Sequence, residues 1–148
     1  MEYLLAWTLM VMSLAGLLNA VVFTGLICGW IPAESPLVTN VCRMDTGSCT
    51  KVVTSPYARL AGVPNSVVGL FWYLLVLAAS GTWLVTGIMP YPVEMTALSA
   101  LTVGIGVLLT LSLLFKLKVK CWFCFFGHAT NLIIFLLFLS ARHFFQGT

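Results

Sequence analysis

Four cysteines are spaced so that a disulfide could pass between them. Cys42 and Cys49 lie in one polar loop with six residues between them, and Cys121 and Cys124 form a Cys-Trp-Phe-Cys pair opening a very apolar stretch. A C-x-x-C pair at a helix start sets its first thiol near unpaired backbone N–H groups and the positive end of the macrodipole. Both favour thiolate, the attacking species in disulfide exchange. Lys118 and Lys120 add positive potential nearby. Cys124, one turn deeper, is expected at the edge of the apolar bundle, within reach of a membrane-soluble oxidant.

Other readings of the same cysteines stay open. Zinc takes four Cys or His ligands in a tetrahedron, and four cysteines are available. Neither the Cys42/Cys49 gap nor the apolar setting resembles a zinc knuckle, however. Asp45, Thr46 and Gly47 favour a turn between Cys42 and Cys49, so that loop could swing one thiol toward the second pair or simply be clipped by a static disulfide. The chain could thus be a non-catalytic four-helix membrane protein with structural disulfides or a bound metal. Cys28 sits in an apolar span without an obvious partner and reads as a packed residue.

Polar residues inside apolar spans come next, because lipid makes an unpaired polar group costly. Asn65 opens the second span. His128 lies four residues beyond Cys124 and so shares its helical face. Together these two could hydrogen-bond both carbonyls of a quinone ring. Singly, Asn65 could cap a helix and His128 could bond a neighbouring one.

The elements that position these residues follow from composition. Hydrophobic residues fill 61% of the 148 positions and charged residues 7%, too few to cover a water-facing surface. The solvent is therefore lipid. A net charge of +3, scattered along the chain, gives no clustered basic surface for nucleic acid. Four stretches are long enough to cross a bilayer, which needs roughly 20 apolar residues in a helix: 4–27, 66–88, 95–115 and 122–140. The expected fold is an all-α integral membrane four-helix bundle forming one domain over residues 1–148, with no attached soluble domain.

Residues 30–65 form a long loop between the first two spans. Within it, Ser55 as N-cap, Pro56 as first helical residue and Gly62 as terminator predict a short lid helix at the membrane surface. Met89–Glu94 reads as a tight turn, and Lys116–Lys120 as a short basic connection. Spans alternate sides, so both cysteine pairs share one face. Gly25 with Gly29, and Ala100 with Gly104, have the spacing that lets helix backbones approach.

These residues together resemble the vitamin K epoxide reductase family over nearly the whole chain. The resemblance rests on Cys42 with Ser48-Cys49, on Ser-Pro-Tyr-Ala-Arg-Leu-Ala-Gly-Val-Pro-Asn-Ser at 55–66, on Gly69, and on Cys121-x-x-Cys124 opening the last span. It implies a four-helix bundle around a quinone pocket with the loop helix as lid. Electrons from a reduced thioredoxin-like or DsbA-like partner would enter at Cys42, pass through Cys49 to Cys121, and leave from Cys124 to a quinone of the ubiquinone, menaquinone or vitamin K type. Such a flow drives protein disulfide formation. Asn65 matches the family's quinone-contacting asparagine and Ser55 its serine near the pocket. His128 stands where relatives often have tyrosine; imidazole can donate a hydrogen bond as phenol does, and it titrates near neutrality. Many bacterial relatives carry a fused thioredoxin-like domain, so here the partner is expected to be a separate protein.

Orientation is the one point on which charge and resemblance disagree. Bacterial relatives generally present their cysteines outside the cytosol, where disulfides persist. In this chain Arg43, Lys51, Arg59, Lys116, Lys118 and Lys120 lie on the cysteine face, whereas Arg142 lies opposite with Glu2 and Glu94. The positive-inside rule therefore turns the cysteines toward the cytosol. The resemblance extends to inverted archaeal members whose cytosol tolerates protein disulfides.

Overall fold

A computed structural model of the chain describes residues 2–32, 34–36, 52, 55–118 and 121–146. Cys42 and Cys49 lie outside the described residues. Four long apolar helices dominate: α1 (Glu2–Ile27), α2 (Asn65–Thr86), α3 (Pro92–Leu111) and α4 (Trp122–Gln146). A π-helical turn, Ser112–Leu117, prolongs α3. All four are long and apolar enough to cross a bilayer, with α3 and its π turn crossing as one span. The protein is an all-α membrane bundle.

Helix ends follow from local chemistry. Gly87 adopts a left-handed conformation (φ 72) and its N–H closes α2 on the Trp83 carbonyl at 2.8 Å. Pro92 then starts α3, where a missing N–H costs nothing. At the end of α1, Gly29 (φ 72) reverses the chain and Trp30 N–H bonds back to the Gly25 carbonyl at 2.8 Å. A Cβ on Gly25 would lie 2.8 Å from the Ile31 side chain folded over it.

Packing divides the bundle along its length. α1 lies between α2 and α4, and α3 packs on the far side of α4. At the end away from the cysteines, Leu9, Val76, Ile134 and Phe138 are almost wholly inaccessible and form a dry core with Ala6, Trp83, Met95 and Ala141. Buried Ser13, Ser80 and Ser99 satisfy themselves by donating to carbonyls three residues earlier in their own helices. Burying each large apolar side chain contributes about 1.5–3 kcal/mol relative to exposure in water. Part of that is already met by lipid, so close packing matters more here than transfer.

Several expectations need correction. The lid helix begins at Pro56 after Ser55, but it is a single 3-10 turn, Pro56–Ala58, and Ser55 makes no side-chain cap. The chain then forms a two-residue hairpin, β1 (Arg59–Leu60) against antiparallel β2 (Val63–Pro64), with Leu60 opposite Val63. Ala61 (φ 48) and Gly62 (φ 86) are its turn, so Gly62 serves a hairpin and terminates no helix. The small-residue pairs are not the close helix contacts either. Gly29 lies past the end of α1, and a Cβ on Gly104 would meet nothing within 4 Å. The intimate approaches are at Gly16, Gly106 and Gly127. The basic connection is also shorter than expected, because helical structure continues through Lys116 and Leu117.

Candidate functional site

Cys121 immediately precedes α4, and Cys124 lies in its first turn. The two thiols are unbonded, with Cys124 Sγ–H donating to Cys121 Sγ at 3.0 Å. Cys121 is buried against Val52 and Leu113, with Phe23, Leu117 and Phe123 around them. Val52 follows Cys49 by three residues, so the loop's return segment covers the first thiol. The Phe23 and Phe123 rings meet edge to face, with centroids 5.8 Å apart, and fix α1 against this turn.

The environment activates Cys121. Its thiol is lowered from 9.0 to about 7, chiefly by the Cys124 hydrogen bond. Burial opposes the shift, and the backbone N–H groups of Cys124 and Phe123 add to it. The helix-start argument is therefore a lesser cause than the second cysteine.

Cys124 faces the other way, onto a cavity of about 150 Å³ in the cysteine-bearing half of the bundle. Its wall is largely apolar, with Ala20 and Phe23 from α1, Val68 and Trp72 from α2, Ile105 and Leu109 from α3, and Leu113 and Leu117 from the π turn. Val52, Ser55, Ala58 and Leu60 close it from the loop side. Among the expected site residues, Ser55, Asn65, Cys124 and His128 all reach this wall. Cys121 stands behind Cys124, on the loop side.

Asn65 is the first residue of α2, after Pro64 at the N-cap, and no side-chain cap is formed there. His128 follows Cys124 by one turn. A Cβ on Gly106 would stand 2.8 Å from His128 Nδ1, so α3 makes room for the imidazole by lacking a side chain. Ser55 Oγ is buried with no hydrogen-bond partner among the described residues.

Sequence reasoning missed Asn19, Trp72 and Asn131, which also line the cavity. Asn131 extends the Cys124–His128 face by another turn. Asn19 Nδ2–H donates to the Phe123 carbonyl at 3.3 Å, tying α1 to the backbone between the two cysteines. Tyr73 O–H donates to the Gly127 carbonyl at 3.4 Å, and its ring lies over Gly16, where no Cβ could fit. Thr24 O–H reaches Ser66 Oγ at 3.1 Å between α1 and α2. Asparagines within apolar spans are a signal that could have found two of these residues. Nothing in periodicity distinguishes Trp72 from a core tryptophan.

A thiol pair on a membrane-embedded cavity, with this lining, agrees with the family model for "Vitamin K epoxide reductase family", which matches residues 7–139. The chain belongs to the vitamin K epoxide reductase family. No curated protein and no solved structure matches it. As a member of this family it is a multi-pass membrane protein and an oxidoreductase of the thiol–disulfide class. The family uses quinones in general.

The cavity of this chain is of a size for a single six-membered ring. A largely apolar cavity of about 150 Å³ is large enough to take up benzene. Among the described residues, buried Asn19 Oδ1, Ser55 Oγ, Trp72 Nε1 and Asn131 Oδ1 have no hydrogen-bond partners. Buried polar groups ordinarily have one, so orphaned groups around an apolar hollow suit a ligand with polar substituents.

Proposed function

We propose that the protein carries electrons from a reduced thioredoxin-like or DsbA-like partner to a quinone and so drives protein disulfide formation. The observation that carries this reading is the division of labour at 3.0 Å: Cys124 lines the cavity while Cys121 lies under the returning loop. One thiol serves the membrane side and the other the loop side.

In this scheme the partner's dithiol reduces a Cys42–Cys49 disulfide and leaves as a disulfide. The Cys49 thiolate then attacks Cys121 Sγ in a Cys121–Cys124 disulfide. Cys42 resolves the Cys49–Cys121 bond, which restores the loop disulfide and leaves Cys121 and Cys124 as thiols. A lowered Cys121 is the better leaving group in that exchange. In the cavity, a quinone supplies a two-electron, two-proton acceptor, and Cys121 and Cys124 close to a disulfide as they give up both. Asn65, His128 and Ser55 hold and orient the ring, while Phe23, Leu109 and Leu113 exclude water.

The experiment is quinone reduction by the full chain, driven by a chemically reduced thioredoxin-like protein. Cys121→Ala and Cys124→Ala should each reduce the rate to background while leaving the helical signal intact. Full activity in both variants would remove this mechanism.

We also propose that the cysteine-bearing end faces the cytosol, supported by Arg59, Lys116 and Lys118 at that end against Arg142 at the other. Labelling Cys42 and Cys49 in intact reduced cells with a membrane-impermeant maleimide tests it. Labelling is expected only after permeabilisation, and labelling of intact cells would reverse the assignment.

A further inference from the structure

Reducing a quinone ring takes protons as well as electrons, and the cavity wall holds few groups that can move one. Among the described residues no Asp, Glu, Lys or Arg lines it, and its titratable side chains are Tyr73, Cys124 and His128. Tyr73 has its O–H committed to the Gly127 carbonyl at 3.4 Å. Cys124 and His128 are both half-buried and stand one helical turn apart on the cavity face of α4. Helical side chains lean toward the N-terminus, so the imidazole reaches back toward the thiol. Gly106 sets how it lies: a Cβ there would be 2.8 Å from Nδ1, 3.4 Å from Cγ and 3.6 Å from Cε1. Nδ1 therefore lies against α3, and Nε2 is on the edge turned away from it. No hydrogen bond engages either nitrogen among the described residues, and neither is sealed from accessible surface as Asn19 Oδ1 and Ser55 Oγ are.

A neutral imidazole has one donor and one acceptor nitrogen, so it can take a proton at one edge and release another from the other. We propose that His128 is a catalytic residue that relays the Cys124 proton to a ring oxygen as the electrons cross. This inference rests on the quinone reading above and adds the route of the proton. The Cys121–Cys124 bond forms as both S–H bonds break, and the electron pair passes to the ring. The Cys124 proton goes to one imidazole nitrogen while the other nitrogen gives its own to the ring oxygen. His128 is left neutral in its second tautomer, and exchange with water resets it. The Cys121 proton leaves to water on the loop side, as a thiol lowered to about 7 readily does. An equal proton taken from water completes the second ring hydroxyl. Without a ring in the cavity the relay has no end point, so other oxidants of the thiol pair do not use it.

The test is a single turnover of the detergent-solubilised full chain, reduced beforehand and mixed anaerobically with a range of menadione concentrations. Glutamine can still donate a hydrogen bond but cannot relay a proton. His128→Gln should therefore lower the saturating rate about 100-fold, the low end of what positioned proton transfer contributes. The menadione concentration giving half that rate should stay within about threefold, and oxidation of the thiol pair by diamide should keep its rate. In the unsubstituted protein the saturating rate should be slower in D2O than in H2O. A folded His128→Gln variant with an undiminished saturating rate overturns the inference, even if half-saturation has moved, because that split describes a binding role alone. Equal rates in the two waters overturn it whether or not the variant folds. If the reduced, unsubstituted chain passes no electrons to menadione at all, the quinone reading itself fails, a result distinct from either of these.

Discussion

The two ends of this bundle use the same four helices in opposite ways. Away from the cysteines, Leu9, Val76, Ile134 and Phe138 interlock, and buried serines bond within their own helices. Toward the cysteines the helices surround a cavity of about 150 Å³, and four of its lining residues each carry a buried polar atom without a hydrogen-bond partner among the described residues. In lipid an unpaired polar group is expensive, so the open end is kept open at a cost that close packing at the closed end must offset. Three inter-helix hydrogen bonds brace the open end without filling it: Thr24 to Ser66, Asn19 to Phe123 and Tyr73 to Gly127.

The largest effect should come from damaging the closed end. Phe138→Ala removes a side chain only 1% exposed, and such truncations cost about 3–5 kcal/mol through cavity formation. The thermal midpoint in detergent should fall steeply, while the quinone KM of the protein that remains folded stays as it was. A normal midpoint would mean that the closed end is not what stabilises the bundle.

A smaller effect tests the thiol pair itself. Cys121 is lowered to about 7 mainly by the Cys124 hydrogen bond. Iodoacetamide reaction at Cys121, followed by mass spectrometry, should therefore rise with pH through a midpoint near 7. A lowered thiol is protonated and unreactive below its midpoint and becomes thiolate above it, so Cys124→Ala should move that midpoint upward, toward 9.0. An unmoved midpoint would reassign the activation to the helix start.

How much of this was legible in the sequence differs between the two ends. The closed end needs only apolar spans, and composition fixes those: expected spans at 4–27 and 122–140 became helices Glu2–Ile27 and Trp122–Gln146. The open end depends on which residues share a wall, which one-dimensional spacing shows only within a helix. His128 was found because it lies one turn from Cys124. Asn19 was not, because its partner Phe123 is 104 residues away. The hairpin at 59–64 was hidden because Ala61, not asparagine or glycine, takes the first left-handed turn position. The glycines were misassigned for a related reason. Spacing of four identifies small faces, but only the fold shows that Gly106 meets an imidazole and Gly104 meets nothing.

Gly106 therefore gives the most local test of the open end. Adding one methyl puts a carbon 2.8 Å from His128 Nδ1, with Cγ at 3.4 Å. The imidazole, a rotatable side chain beside a cavity, can move aside more easily than the α3 backbone. Gly106→Ala should consequently leave the thermal midpoint nearly unchanged while displacing the ring from its position beside Cys124. Losing one well-placed hydrogen bond to substrate is worth about 1 kcal/mol, so the quinone KM should rise by about five- to tenfold. The rate of Cys121–Cys124 disulfide formation by a small oxidant should stay constant, because that reaction does not use the imidazole. If KM is unchanged while His128→Ala raises it, the imidazole has tolerated the methyl and Gly106 is dispensable. If neither variant changes KM, His128 is not part of the ring's binding site.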